Sequence, residues 1–375
     1  MNFGFTEEQD LLRQEVAKFF SERCPMAEVR RIAETPSGFD RATWDEMGKL
    51  GWLGLLVPEA LGGAGLGWAD LVVLLEEAGR SLHPSPLLGA MLSIVAIREH
   101  ADAEQQRRWM PAMSDGSALH ALALQEAGDR LAPEAISLAP SEHGGQLRLT
   151  GEKLFVQDAQ SATHFIVAGR NAGVSEGGTD YALYVVDANA DGVEAVAQPC
   201  IDGTKRLGKL VLRDVAVGEA DTVPVAADAI ARLYDQATAA VTAEAIGAAE
   251  AAVALTCEYA RTRTQFGSPI GRFQGVKHPL AEMYVEIESF KSILYYAAWC
   301  LDEQPDDVPK HVSMAKALAS DAFSRIGIDI VQLHGALGYT WEYDAQLFLK
   351  RSKWVKAMFG GSDYHYSRVA DLGAL

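Results

Sequence analysis

Residues 261–278 gather chemically useful side chains in one short stretch of the chain. Three arginines, Arg261, Arg263 and Arg272, lie there between two helix-forming segments. Guanidinium groups beside exposed helix ends bind phosphate well, because the planar fork donates paired hydrogen bonds and the free backbone N–H groups add positive charge. The stretch therefore predicts a site for a pyrophosphate or another anion. A plain helix end, capped by Gly267 in the left-handed region, accounts for the same residues without a ligand.

The chain as a whole is acidic, with a formal net charge of -18 over 375 residues. Such a charge disfavours non-specific binding to nucleic acid or to an anionic membrane. An anionic ligand remains compatible with it, provided that positive charge is gathered locally. The length is sufficient for two or three domains with a sizeable core.

Four cysteines are far apart and form no CxxC pattern, which indicates free thiols in a reducing compartment. They are Cys24, Cys200, Cys257 and Cys300. Residues 1–9 lack the basic and apolar regions of a signal peptide, so we expect a cytoplasmic protein. The most apolar run, around residues 71–75, is too short to span a membrane. No HExxH pattern or Cys/His cluster is present in the sequence, which therefore predicts no metal site.

Three regions differ in their pattern of apolar residues. Residues 1–117 and 223–375 carry them at helical spacing, whereas residues 118–222 contain short apolar runs separated by Gly, Asn and Asp. We predict an α+β protein with an N-terminal helical domain, a mostly antiparallel middle β domain and a C-terminal helical bundle. The glycines at 63–67 lack a surrounding βαβ unit, so they predict a loop rather than a dinucleotide site.

Two segments resemble signatures of the acyl-CoA dehydrogenase family. They are residues 261–278 and residues 332–340, which read Gln-Leu-His-Gly-Ala-Leu-Gly-Tyr-Thr, and residues 52–65 look like an early loop of the same family. The order of helices, β domain and bundle is similar over nearly the whole chain. The resemblance implies a C-terminal four-helix bundle, FAD as cofactor and α,β-desaturation of an acyl-CoA thioester.

In that family, both segments contact the FAD of a neighbouring subunit. The matching Arg and Phe of the first segment meet the pyrophosphate and adenine side of the cofactor. Ala336 stands where the family usually has a second Gly. The residues that the resemblance assigns to FAD are Arg263, Gln265, Phe266, Gln332, Gly335 and Ala336.

The part of the β domain that would hold the flavin ring departs from the family pattern. The usual Thr-Glu-Pro-Gly-like loop reads Gln-Glu-Ala-Gly from Gln125, and the usual Trp-Ile-Thr-like strand reads Phe-Val-Gln from Phe155 to Gln157. Phe155 keeps an aromatic surface. Amides still donate and accept hydrogen bonds where hydroxyls normally do, but they are bulkier. We therefore include Gln125, Phe155 and Gln157 as candidate flavin contacts.

Desaturation requires a carboxylate that takes the α-proton, and neither family position for it is acidic here. Gly360 occupies one position and Ala237 the other. Glu244 lies two helical turns beyond Ala237 on nearly the same face, so it is the candidate base. An ion-paired Glu on a helix face is the simpler interpretation of the same residue. Asp363 is a weaker candidate.

Two functions follow from these residues. The first is a flavin-linked acyl-CoA dehydrogenase that passes electrons to an electron-transferring flavoprotein, as the resemblance implies. The second is a non-catalytic or half-site partner in a hetero-oligomeric dehydrogenase, like the divided pairs of actinobacterial steroid side-chain degradation. Because the FAD segments act between subunits, either one implies a homo- or hetero-tetramer. The acyl group is not defined by the sequence.

Overall fold

The computed structural model describes residues 6–128, 130–172 and 179–373. Its N-terminal part is helical, and Thr6 begins the first helix with a capping box that includes Gln9. This reciprocal bonding satisfies backbone donors that a helix start leaves free. The helices are α1 (Glu7–Arg23), α2 (Met26–Ala33), α3 (Arg41–Lys49), α4 (Trp68–Arg80), α5 (Leu87–His100) and α6 (Ala103–Ser114). The glycines at 63–67 lie in the loop before α4, as predicted.

The middle part consists of two four-stranded sheets packed face to face. Their orders are β1-β4-β5-β8 and β2-β3-β7-β6, and every pair is antiparallel except β1 with β4. Phe165, Tyr184 and Leu210 are among the residues of the core between the sheets. The strands are β1 (His120–Ala123), β2 (Ser141–His143), β3 (Gln146–Gln157), β4 (His164–Arg170), β5 (Tyr181–Asp187), β6 (Val193–Gln198), β7 (Leu207–Val217) and β8 (Thr222–Val225).

The C-terminal part is a bundle of long helices with a short hairpin between its first two members. That hairpin pairs β9 (Thr264–Gln265) with β10 (Ser268–Pro269). The helices are α7 (Ala227–Thr262), α8 (Gln274–Glu303), α9 (Val308–His334), α10 (Ala345–Ala357) and α11 (Ser362–Asp371). The α+β class is thereby confirmed. The exact domain boundaries at 117 and 222 stay predictions.

Two glycines let α4 and α7 cross in direct backbone contact. A Cβ atom added to Gly79 would lie 2.1 Å from the carbonyl oxygen of Glu244, and one added to Gly247 would lie 1.8 Å from that of Glu76. Neither position has room for a side chain. This crossing fixes the middle of α7 against the N-terminal helices and sets the position of Glu244.

Within the described residues, α7 is the one helix that is long and apolar enough to cross a membrane, although 72% of its apolar window is buried inside the protein. A core helix of a bundle has the same composition, because all its faces pack against other helices. The small side chains of α7 therefore serve its close packing against α4 and α9.

Candidate functional site

The predicted anion-binding segment lies at the exposed end of α7. Arg263 caps the helix, and its backbone N–H donates to the carbonyl of Tyr259 at 2.8 Å. Arg261 pairs with Glu258 at 3.4 Å, whereas the exposed Arg263 side chain has no ion pair within 6–128, 130–172 and 179–373. Since most arginines of this acidic chain do have acidic partners, the unpaired guanidinium of Arg263 is available to a ligand.

Phe266 extends from the same hairpin into solvent. Its side chain is 94% exposed, and its backbone adopts the left-handed region at φ 51°. The ring makes an edge contact with Phe273 at 6.1 Å, and Gln265 beside it is also exposed. Phe266 and Phe273 together expose apolar surface at this hairpin, which makes it a candidate for contact with another molecule.

The second predicted segment lies next to the first. The ring of His334, the last residue of α9, packs on Tyr259 with 4.4 Å between centroids. Gly335 follows at φ 61°, and a Cβ atom there would meet nothing within 4 Å. Gln332 and Ala336 are exposed. The structure therefore brings the two segments onto one surface, although they are far apart in sequence.

The residues predicted to contact the flavin ring lie together at the other end of the molecule. Gln125, Phe155 and Gln157 line a cavity of about 10 Å³ that is also bounded by Gly89 and Phe359. This volume holds at most one water molecule. Both amide atoms of Gln157 are buried without a hydrogen-bond partner in the described part of the chain.

Phe155 owes its position to an irregularity in β3. The register of β3 against β7 shifts between Lys153 and Val156, and Phe155 adopts φ 55° with 42% of its surface exposed. Its backbone N–H donates to the side-chain oxygen of Gln198 at 2.8 Å. The orphaned Gln157 amide and the uncovered aromatic ring fit a flavin edge. At about 10 Å³, the cavity is too small in this structure to hold a flavin ring.

Lys153 holds the loop of Gln125 in place through two hydrogen bonds, a role that the sequence alone does not predict. Its fully buried Nζ lies 2.7 Å from Oε1 of Glu126 and 3.2 Å from the carbonyl of Leu124. Burial lowers the pKa of Lys153 to about 8, with Glu126 acting in the opposite direction. Lys153 and Glu126 are separated by 27 residues, so only the sheet brings them together.

Glu244, the candidate base, lies in a buried ionic cluster. Nζ of Lys205 is 2.7 Å from each carboxylate oxygen, and Nη1 of Arg351 is 3.8 Å away. Arg351 also bonds Asp202, and Lys205 lies 4.8 Å from the ring centroid of Trp354. Two cations therefore already contact the carboxylate of Glu244.

Asp158 belongs to the same cluster. Burial raises its pKa to about 7, although Lys205 opposes that shift. With Asp158 protonated, the cations of Lys205 and Arg351 balance the charges of Glu244 and Asp202. A protonated Asp158 therefore adds no further negative charge to this buried group.

Gly360 and Asp363, two of the other positions considered for a base, differ from Glu244. Gly360 adopts φ 95°, and a Cβ atom there would lie 2.6 Å from Cδ1 of Tyr364, so no carboxylate side chain fits. Nζ of Lys316 holds this loop by bonding the carbonyls of Val355 and Gly360, each at 2.8 Å. Asp363 is exposed in the first turn of α11, where it complements the helix dipole.

The two groups of candidate residues are far apart within one chain. Phe359, which borders the small cavity, also contacts a second small space lined by Thr238 of α7. Arg263 follows Thr238 by 25 residues of helix, or about 37 Å at the usual rise. Arg263 therefore lies far along α7 from the space that Phe359 shares with the Gln157 cavity.

Comparison with known proteins matches both helical parts of the chain. Residues 6–117 match the acyl-CoA dehydrogenase N-terminal domain, and residues 228–372 match the acyl-CoA dehydrogenase C-terminal domain. The acyl-CoA dehydrogenase IpdE2 of Mycobacterium tuberculosis is 31% identical over 349 residues, which cover 92% of this chain and 91% of the relative. This chain belongs to the acyl-CoA dehydrogenase family. It is an oxidoreductase of a flavin-dependent class.

Two solved structures are similar over nearly the full length. A chain of the ChsE4–ChsE5 complex from M. tuberculosis has a TM-score of 0.91 and 28% identity, with coverage of 100% of this chain and 99% of that one. A variant of the Tcur3481–Tcur3483 steroid ACAD has a TM-score of 0.88 and 31% identity, with coverage of 98% of each chain. The predicted fold is confirmed by these similarities.

Proposed function

We propose that this acyl-CoA dehydrogenase uses FAD to desaturate the Cα–Cβ bond of an acyl-CoA thioester, in an oligomer whose cofactor sites are completed between subunits. The observation that supports this most is the unpaired Arg263 beside the uncovered Phe266 and the open Gly335. These residues form a ready surface for the phosphate and adenine part of a dinucleotide. They lie too far along α7 from the Gln157 cavity to serve the same molecule.

Each residue group has a defined task in this proposal. Arg263 binds a phosphate group by charge-assisted hydrogen bonds, and Gln332 and Ala336 border the same surface. Gln157 and Gln125 supply amide groups to the ring edge, while Phe155 shields it from water. A bound flavin accepts the hydride that leaves Cβ. Glu244 stays the proposed acceptor of the α-proton, on the condition that Lys205 moves away when substrate binds.

A steroid-derived acyl group is part of the proposal, because a structure described as a steroid ACAD is among the similar ones. By resemblance to the family, the proposal also includes assembly as a tetramer in the cytoplasm. It includes an electron-transferring flavoprotein as the partner that reoxidises the flavin.

Three observations are compatible with a second candidate function. The Gln157 cavity holds about 10 Å³, Gly360 has no room for a carboxylate, and Glu244 is paired with Lys205. A partner subunit that supplies only the phosphate-side half of each FAD site would need none of these features. The names of the relatives favour the first candidate, since they describe dehydrogenases.

Flavin counting distinguishes the two functions. The chain is purified alone and together with a family homologue that carries the usual Thr-containing cradle and a Glu in place of Gly360. The first candidate requires a yellow assembly of this chain alone, with one FAD per subunit and activity on an acyl-CoA. The second requires little flavin alone and one FAD per heterodimer in the mixed assembly. A chain that binds no flavin in either preparation contradicts both.

A further inference from the structure

One cluster of potential metal ligands lies outside the flavin site, at the turn that joins α8 to α9. Cys300 is in the last turn of α8, Asp307 ends the connecting turn, and His311 is in the first turn of α9. One ligand atom from each of the three residues lies within 4.8 Å of the others. Sequence spacing gave no sign of this cluster, because the reversal of the chain at Pro305 is what brings the residues together.

The hydrogen bonding of His311 uses one ring nitrogen, Nδ1, and leaves the other, Nε2, for a metal. Its Nδ1 lies 2.9 Å from the backbone carbonyl of Asp307. Since a carbonyl oxygen only accepts, Nδ1 is the donor in this bond, and Nε2 is the nitrogen that the neutral ring offers to a metal. Metal-bound histidines are commonly oriented by this kind of second bond. The ring of Tyr296 packs edge-on against His311 at 4.5 Å and restricts its rotation.

Asp307 has a carboxylate that the helix does not use. It stands at the N-cap of α9, yet its side chain makes no capping hydrogen bond. N-cap carboxylates normally accept from the backbone of the first turn. Asp307 is exposed, His311 is half-buried and Cys300 is buried, so the cluster opens to solvent on one side, where a water molecule can complete a coordination shell.

We propose that Cys300, Asp307 and His311 form a binding site for Zn²⁺ or a similar soft divalent ion, with water as the fourth ligand. Sulfur, nitrogen and oxygen donors together suit tetrahedral zinc, whereas magnesium and calcium prefer oxygen alone. A thiolate and a carboxylate balance the double charge of the ion. Bound there, the ion ties the end of α8 to the start of α9 and stabilises that hairpin.

Cobalt(II) titration tests the site, because a thiolate bound to Co²⁺ gives a charge-transfer band in the near ultraviolet. The full-length protein is treated with a chelator and titrated with Co²⁺, then with Zn²⁺ in competition. We expect the band to saturate at one equivalent per chain and to be removed by Zn²⁺. Cys300→Ser should abolish it, and His311→Gln should weaken binding at least about 10- to 100-fold.

Cys257→Ser is the matched control, since Cys257 is a half-buried helical cysteine outside the cluster, and it should leave the titration unchanged. If Cys300→Ser does not fold, the half-exposed His311→Gln decides. The proposal is overturned if wild-type protein shows no band at one equivalent. Persistence of the band in Cys300→Ser, undiminished affinity in His311→Gln, or loss of the band in Cys257→Ser would each overturn it as well.

Discussion

The exposed surface around Arg263 and the buried cluster around Glu244 differ in whether their charged side chains already have partners. Arg263 has no acidic partner in the described part of the chain and faces solvent. Glu244 is 3% exposed and has two cations within 4 Å. In a chain of net charge -18, an unpaired exposed arginine is a candidate for ligand binding, whereas a buried carboxylate that is already paired first contributes to the structure. Chemistry at Glu244 must therefore displace an existing contact.

Glu244→Gln tests this contrast with the largest expected effect. The amide is nearly isosteric and still accepts from Lys205, so we expect folding and flavin content to be retained. If Glu244 is the base, turnover should fall by roughly 10²- to 10⁴-fold. Rates of flavin reduction by acyl-CoA substrates measure this. Asp363→Asn is the control and should leave turnover unchanged. The reverse pattern would assign the base to Asp363, and unchanged rates in both would make the Glu244 cluster purely structural.

Lys205→Met should destabilise the protein strongly. It leaves the carboxylate of Glu244 with only the more distant Arg351, and breaking one side of a buried pair typically costs about 3–5 kcal/mol. Urea unfolding measures the loss. Lys209→Met removes a partly exposed pair with Glu152 and should cost less than about 1 kcal/mol. Adding Glu244→Gln to Lys205→Met should recover part of the loss, since the uncompensated charge disappears. Equal losses of stability in the two lysine variants would contradict the difference that we draw between buried and exposed ion pairs.

The sequence was sufficient to predict the fold and the exposed segments, because both depend on local patterns. Helical spacing predicted the helical C-terminal part, whose first helix α7 begins at Ala227, and the basic turn singled out Arg263 as a candidate. The contacts of Glu244 were out of reach, since Lys205 lies 39 residues away and Arg351 joins Asp202 across 149 residues. Such pairs form only when three parts of the chain pack together. The cluster of Cys300, Asp307 and His311 was missed for a different reason, since it depends on the local reversal of the chain at Pro305.

Arg263→Ala should affect the ligand and leave the fold of the chain unchanged. Loss of a charge-assisted phosphate contact should weaken flavin binding by roughly 10- to 100-fold. The measurement is flavin release on dilution, alongside the thermal unfolding midpoint of the flavin-free protein. Arg213→Ala, which removes another exposed arginine that already pairs with Glu194, should leave flavin binding unchanged. Equal flavin retention in both variants would show that residues 261–278 are an ordinary helix end.

The smallest expected effect is a pH dependence of stability that comes from Asp158 in the buried cluster. The exposed surface around Arg263 should not share it. Folding raises the pKa of its carboxyl from 3.8 to about 7, chiefly by burial, with Glu244 adding to the shift and Lys205 and Arg206 opposing it. The folded state therefore binds a proton that the unfolded state releases. This stabilising contribution is complete below the unfolded pKa and is lost as the pH rises through about 7.

Between pH 6 and 7.5, wild-type stability should fall relative to Asp158→Asn by roughly 1 kcal/mol. Urea unfolding across this range measures the difference. Asp363→Asn, at an exposed carboxylate, should run parallel to wild type. A parallel profile for Asp158→Asn would mean that Asp158 is charged in the folded protein.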